Sequence, residues 1–108
     1  SYQPNPLESD GTVDASLSAE INGFLETFFK LYPTASKKEL AYYVSNDALP
    51  VVQKNYIFAE LVNPIYLKKD KQIFASVAVK YLDQETKTTH LAQYELILEK
   101  QDNWKIIL

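Results

Sequence analysis

The sequence predicts an α+β domain: N-terminal helices packed on a curved, roughly four-stranded antiparallel sheet. Three observations predict it. Residues 72–108 contain three runs of alternating apolar residues. These are Ile73, Ala75, Val77, Val79 and Tyr81; Ala92, Tyr94, Leu96 and Leu98; and Trp104, Ile106 and Leu108. Side chains two apart share a strand face, so each run makes one continuous apolar surface. Polar turns separate the runs, at Asp83-Gln84-Glu85-Thr86 and at Gln101-Asp102-Asn103. A sheet with an apolar face needs cover, and one strongly amphipathic stretch near the N-terminus supplies it.

Composition bounds the function. A chain of 108 residues is one domain, and folding at this size buries roughly 65% of the unfolded surface. Hydrophobic content of 46% and charged content of 23% are ordinary for a globular protein. Cysteine is absent, which excludes disulfides, thiolate metal sites and a Cys nucleophile. The net charge is −3, and all 11 basic residues are Lys. Arg is the usual bidentate reader of guanine and phosphate, so direct nucleic-acid binding is not expected. No apolar run approaches the ~20 residues that span a bilayer, and no signal-peptide pattern opens the chain. Any membrane anchor is expected outside this chain.

In chain order, residues 1–15 hold Pro4, Pro6, Gly11 and three acids without Lys, a pattern expected of a flexible acidic linker. Residues 16–108 form the single domain. Its first helix spans 16–32, because Leu17, Ile21, Phe24, Leu25, Phe28 and Tyr32 fall on one stripe of 3.6-residue period. Asp14 or Ser16 caps it, and Pro33 ends it. Gly23 costs about 1 kcal/mol inside a helix, which suggests a close crossing of the sheet. Ser36-Lys37-Lys38-Glu39 is a capping box that opens a second helix over 34–44. Residues 55–67 are rich in β-branched and aromatic residues and form a strand. Pro64 makes it an edge strand or puts a bulge there. Residues 68–71 turn into the alternating runs. Phe24, Phe28, Tyr94 and Trp104 are expected in the core.

Chemistry is sparse. His90, the single His, shares a strand face with Ala92, Tyr94, Leu96 and Leu98. A base needs an orienting partner and a metal needs several strong ligands, and neither accompanies it in sequence. Its place near a strand start predicts a wet, structural residue. Glu60 sits in an apolar strand, where burial would raise its pKa, but the alternate, solvent-facing position is expected. The chain has two Gly and no phosphate-cradling loop. No catalytic, cofactor or metal site is expected. The sheet's other face is mixed instead of polar. Phe74, Leu91 and Ile97 lie on it among charges, and if register joins them they form an interaction face.

Helices followed by a meander ending in Trp-x-Ile resemble the nuclear transport factor 2-like fold, a cystatin-like roll. Ketosteroid isomerase shares that fold, but its acid, base and Tyr set has no counterpart here. Two segments carry a closer resemblance: FLETFFKLYPTASKKELAYYV over 24–44 and AQYELILEKQDNWKI over 92–106. They are similar to the C-terminal domain of TcpC-like conjugative-transfer proteins of Gram-positive plasmids and conjugative transposons. That family is similar in fold to the bitopic scaffold component of type IV secretion systems. The resemblance implies a non-enzymatic protein-interaction domain on the extracytoplasmic face of the membrane. It implies an N-terminal anchor and a first tandem domain that this chain lacks. The implied partners are the coupling ATPase, channel and wall-hydrolase components, with homo-oligomerisation open. The alternative is a pocket enzyme or small-ligand binder of the same fold.

Overall fold

A computed structural model describes residues 11–108. Asp14, in extended conformation, accepts the Leu17 N–H at 2.8 Å and so caps helix α1, Ala15–Leu31. Pro33 then turns the chain into one 3-10 turn, Tyr32–Thr34. Ile21, Leu25, Phe28 and Phe29 are the buried residues of α1. Phe29 widens the expected stripe, while Phe24 is only partly buried against the core.

Gly23 differs from expectation. It is exposed, and a Cβ built there would meet nothing within 4 Å, so no close crossing requires it. The second helix is also shorter than expected. Its capping box is formed in full, with Glu39 N–H to Ser36 Oγ at 3.2 Å and Ser36 N–H to Glu39 Oε1 at 2.9 Å. Yet α2 covers only Lys37–Leu40. The chain leaves the helix because Tyr43 and Ser45 are recruited by the last strand. Ile106 N–H donates to Tyr43 O at 2.8 Å, and Ser45 N–H to Ile106 O at 2.9 Å. Val44 thereby bridges Ile106 in parallel.

The sheet runs in sequence order. Strand β1 is Gly11–Thr12, β2 Tyr56–Lys69, β3 Gln72–Asp83, β4 Thr89–Lys100 and β5 Trp104–Ile106, and all neighbours pair antiparallel. The fifth strand, β1, falls inside the expected linker, and so does the Asp14 cap. That part of 1–15 is ordered by pairing with Leu67 and Lys68. Residues 1–10 of the expected linker lie outside the described residues. The register of β2 slips between Val62 and Ile65, where Pro64 breaks the ladder and Asn63 takes φ 48°. A second slip lies between Phe58 and Glu60.

The alternating faces of β3–β5 line the core. Ile73, Ala75, Val77, Val79 and Tyr81 are all buried, as are Leu96, Leu98, Trp104 and Ile106. Ala92 and Tyr94 are half-buried at the margin. Leu108 is instead exposed, although its carbonyl still accepts the Ile97 N–H at 2.9 Å. Polar clamps join helix to sheet. Trp104 Nε1–H donates to Glu20 Oε2 at 2.7 Å, Lys100 Nζ pairs with the same carboxylate, and the Tyr66 hydroxyl donates to Asn22 Oδ1.

Two stability tests follow from this packing. Gly23→Ala should raise stability by about 1 kcal/mol, since only helix propensity changes. An unchanged or lowered denaturant midpoint would contradict the open position assigned to residue 23. Phe28→Ala, at a site with 0% exposure, should cost about 3–5 kcal/mol. A midpoint within error of the parent would refute the seating of α1 on the sheet.

Candidate interaction site on the outer face of the sheet

The titratable residues singled out in the sequence do not meet. His90 lies at the wet start of β4, with its ring stacked on Tyr56 at 5.5 Å and 15°. Its Nε2 is 3.8 Å from Asp83 Oδ2 and 3.3 Å from Thr88 Oγ1. Asp83 is committed elsewhere. Its carboxylate accepts the Glu85 N–H at 2.9 Å and the Thr86 N–H at 3.3 Å, closing the β3–β4 turn. Those bonds, the Glu85 N–H first, hold its pKa below the usual carboxylate value. Glu60 faces solvent, 61% exposed, and pairs with Lys80 across the strands at 3.9 Å. Glu60 is opposite Lys80 on the outer face, while His90 is opposite the inward-facing Tyr81. The two therefore lie on opposite faces. Among the described residues no group of three or more His, Asp or Glu could hold a metal ion.

The concave side is filled by rings. Phe29 contacts Tyr94 at 4.8 Å, Phe28 contacts Tyr32 at 5.1 Å, and Tyr56 contacts Tyr81 at 5.8 Å. Burial raises the phenols of Tyr32, Tyr81 and Tyr94, that of Tyr32 to about 12, so all three stay protonated at neutral pH. The Tyr32 hydroxyl donates to Pro50 O at 2.6 Å. The buried Tyr81 hydroxyl makes no well-formed hydrogen bond, and the Tyr94 hydroxyl is the group close enough to interact with it. A buried hydroxyl with so poor a partner carries most of its desolvation penalty. Tyr81→Phe should therefore change stability by less than about 1 kcal/mol. A loss well beyond that would show that the Tyr81–Tyr94 contact is a strong bond.

The outer face is organised differently. Phe74 and Ile97 are direct cross-strand partners, as the alternation suggested. Leu67 pairs with Phe74 on the other side. Ile107 donates its N–H to Ile97 O at 2.8 Å and extends the line. Leu67, Phe74, Ile97 and Ile107 thus form an apolar row across four strand positions, ~14 Å long at the usual strand spacing. Each is partly exposed. Leu91 does not join them. It pairs with Lys80, six residues along β4 from Ile97, or ~20 Å at 3.4 Å per residue. Leu91 shares the face, but the register separates it from the patch. Leu67 and Ile107 escaped sequence reasoning because their membership depends on register across strands.

Polar rows flank the apolar one. On one side lie Lys69, Gln72, Glu99 and Lys105. On the other, Ser76 donates to Glu95 Oε2 at 2.8 Å, and Gln93 Nε2 donates to the same carboxylate oxygen at 2.6 Å. Ile65, 59% exposed, ends that second row on β2. The arrangement has an apolar centre and a charged rim.

A long helix held across the concave face of a curled antiparallel sheet is the nuclear transport factor 2-like fold. The chain is similar to a solved structure described as an Ntf2-like protein involved in plasmid conjugation. Their TM-score is 0.76 at 19% identity, over 98% of this chain and 43% of that one. The chain therefore spans less than half the length of that relative. Curated proteins gave no match. The family model described as conjugative transposon protein TcpC matches residues 1–107, and the chain belongs to that family.

Proposed function

We propose that this chain is a non-catalytic scaffold domain of a Gram-positive conjugative transfer apparatus of the type IV secretion kind. The apolar row Leu67–Phe74–Ile97–Ile107 is the observation that carries the reading. Its work is to hold other transfer proteins in place, the coupling ATPase, channel and wall-hydrolase components among them. Family membership supports the conjugative setting, and the separation of His90 from Glu60 supports a role without catalysis. The domain acts on the extracytoplasmic side of the cell membrane. In this reading a helix outside this chain anchors it there; no described helix is long and apolar enough to cross a bilayer.

The test replaces Phe74 and Ile97 with Ser together in the full-length protein. Complex assembly and transfer frequency are measured beside the thermal midpoint. Loss of assembly by a variant that still melts cooperatively is the expected result. Leu91→Ser, outside the row, should leave assembly intact. Normal assembly by a stably folded double variant would sink the assignment.

A further inference from the structure

A second surface lies apart from the sheet's outer face. A half-open groove of about 530 Å³ runs between α2 and the segment that follows it, with no lining residue from β2, β3 or β4. Leu40, Val44, Leu49 and Val51 give it apolar walls, and Lys37 and Asp47 stand on its lining. Val51 is 39% exposed there, although it is a large hydrophobe.

The groove is built and held open. The capping box fixes the start of α2. The Tyr32 hydroxyl bond to Pro50 O and the Lys54 N–H bond to Pro33 O, at 2.8 Å, pin the far wall. Ser45 N–H, bonded to Ile106 O, pins its base to β5. Its volume falls in the usual range of ligand sites, roughly 300–1,000 Å³. The charges are the second feature. Lys37 and Asp47 are both exposed, and neither side chain makes a hydrogen bond or ion pair among the described residues. They stand on different segments, Lys37 on α2 and Asp47 on the loop after Val44. A complementary ligand has an apolar body with an anionic group at one wall and a cationic group at the other. The open shape suits a chain that enters and leaves the groove.

We propose that this groove binds a short extended peptide segment of a partner protein. One bulky aliphatic or aromatic side chain sits against Leu49 and Val51, the more exposed of the apolar lining residues. An acidic neighbour meets Lys37 and a basic neighbour meets Asp47. The site is independent of the outer-face row and stands if that row has another role.

The probes are two blocked peptides, acetyl-Glu-Gly-Phe-Gly-Lys-amide and its Leu counterpart, titrated into the isotope-labelled chain and followed by backbone amide shifts. Saturable shifts confined to Leu40, Ala41, Val44, Leu49 and Val51 are expected at up to millimolar peptide. Two variants check the charges. Lys37→Glu places an acid in the first turn of α2, where it is tolerated. Asp47→Asn keeps a residue type suited to the φ of 53° found there. Each should weaken binding about two- to fivefold, the size of an exposed ion pair. Four results would overturn the proposal. One is the absence of saturable groove shifts with both peptides. Another is a shift pattern centred on Phe74 and Ile97. The others are equal affinity for a peptide with Gln at both charged positions and equal affinity for free phenylalanine.

Discussion

The burial of two consecutive aromatic residues, Phe28 and Phe29, sets the shape of the whole domain. Both have 0% exposure. Neighbouring helix positions point about 100° apart, so a flat surface cannot cover both. The sheet must curl around α1. Strand β2 supplies bends at its two register slips, and β5 reaches back to bridge Val44. Rings then fill the concave side: Phe28 on Tyr32, and Phe29 on Tyr94. The polar clamps Glu20–Trp104 and Asn22–Tyr66 fix the N-terminal half of the helix. This filling leaves the interior with raised phenols and the rim with the His90 imidazole stacked on Tyr56.

The same curl decides which edges are available. The outer edge of β5 is closed by the Val44 bridge. Among the described residues, strand β1 covers Leu67 and Lys68 of β2. The rest of β2 carries both register slips and Pro64, features that obstruct the addition of another strand. Strand addition is therefore a poor route to partners here. In the proposed roles, recognition falls to side-chain surface: the apolar row on the convex side and the groove beside α2.

Much of this was legible in the sequence, and the failures share a cause. Period-two alternation identified every core residue of β3, because that strand is paired on both sides and buried on one face. The capping box was legible because its geometry is local. The length of α2 was not, since Tyr43 and Ser45 are taken by Ile106, far away in sequence. Gly23 was assigned a packing role that only three-dimensional contact could establish. The outer-face patch shows the limit most clearly. Alternation placed Phe74, Leu91 and Ile97 on one face correctly. Only register showed that Phe74 meets Ile97 while Leu91 meets Lys80.

The charges around the apolar row bear on what can sit on it. Consider a second copy placed face to face through a two-fold axis in the plane of the sheet. An axis along the strands, through the middle of the row, lays β2 over the partner's β5. It brings Lys69 opposite the copy's Lys105. An axis across the strands, along the row itself, lays one flanking row over the other. It brings Glu99 opposite the copy's Glu95, a carboxylate already holding Ser76 and Gln93. Both of these dockings match apolar to apolar at the centre but set like charges together at the rim. Like-charge juxtaposition weighs against a partner even where apolar areas match. The rim thus disfavours simple self-pairing through this face. In the proposed scaffold role, that rim suits a partner with an acid over Lys69 and a base over Glu95 and Glu99; the Lys105 ammonium already donates to Ala41 O at 2.9 Å.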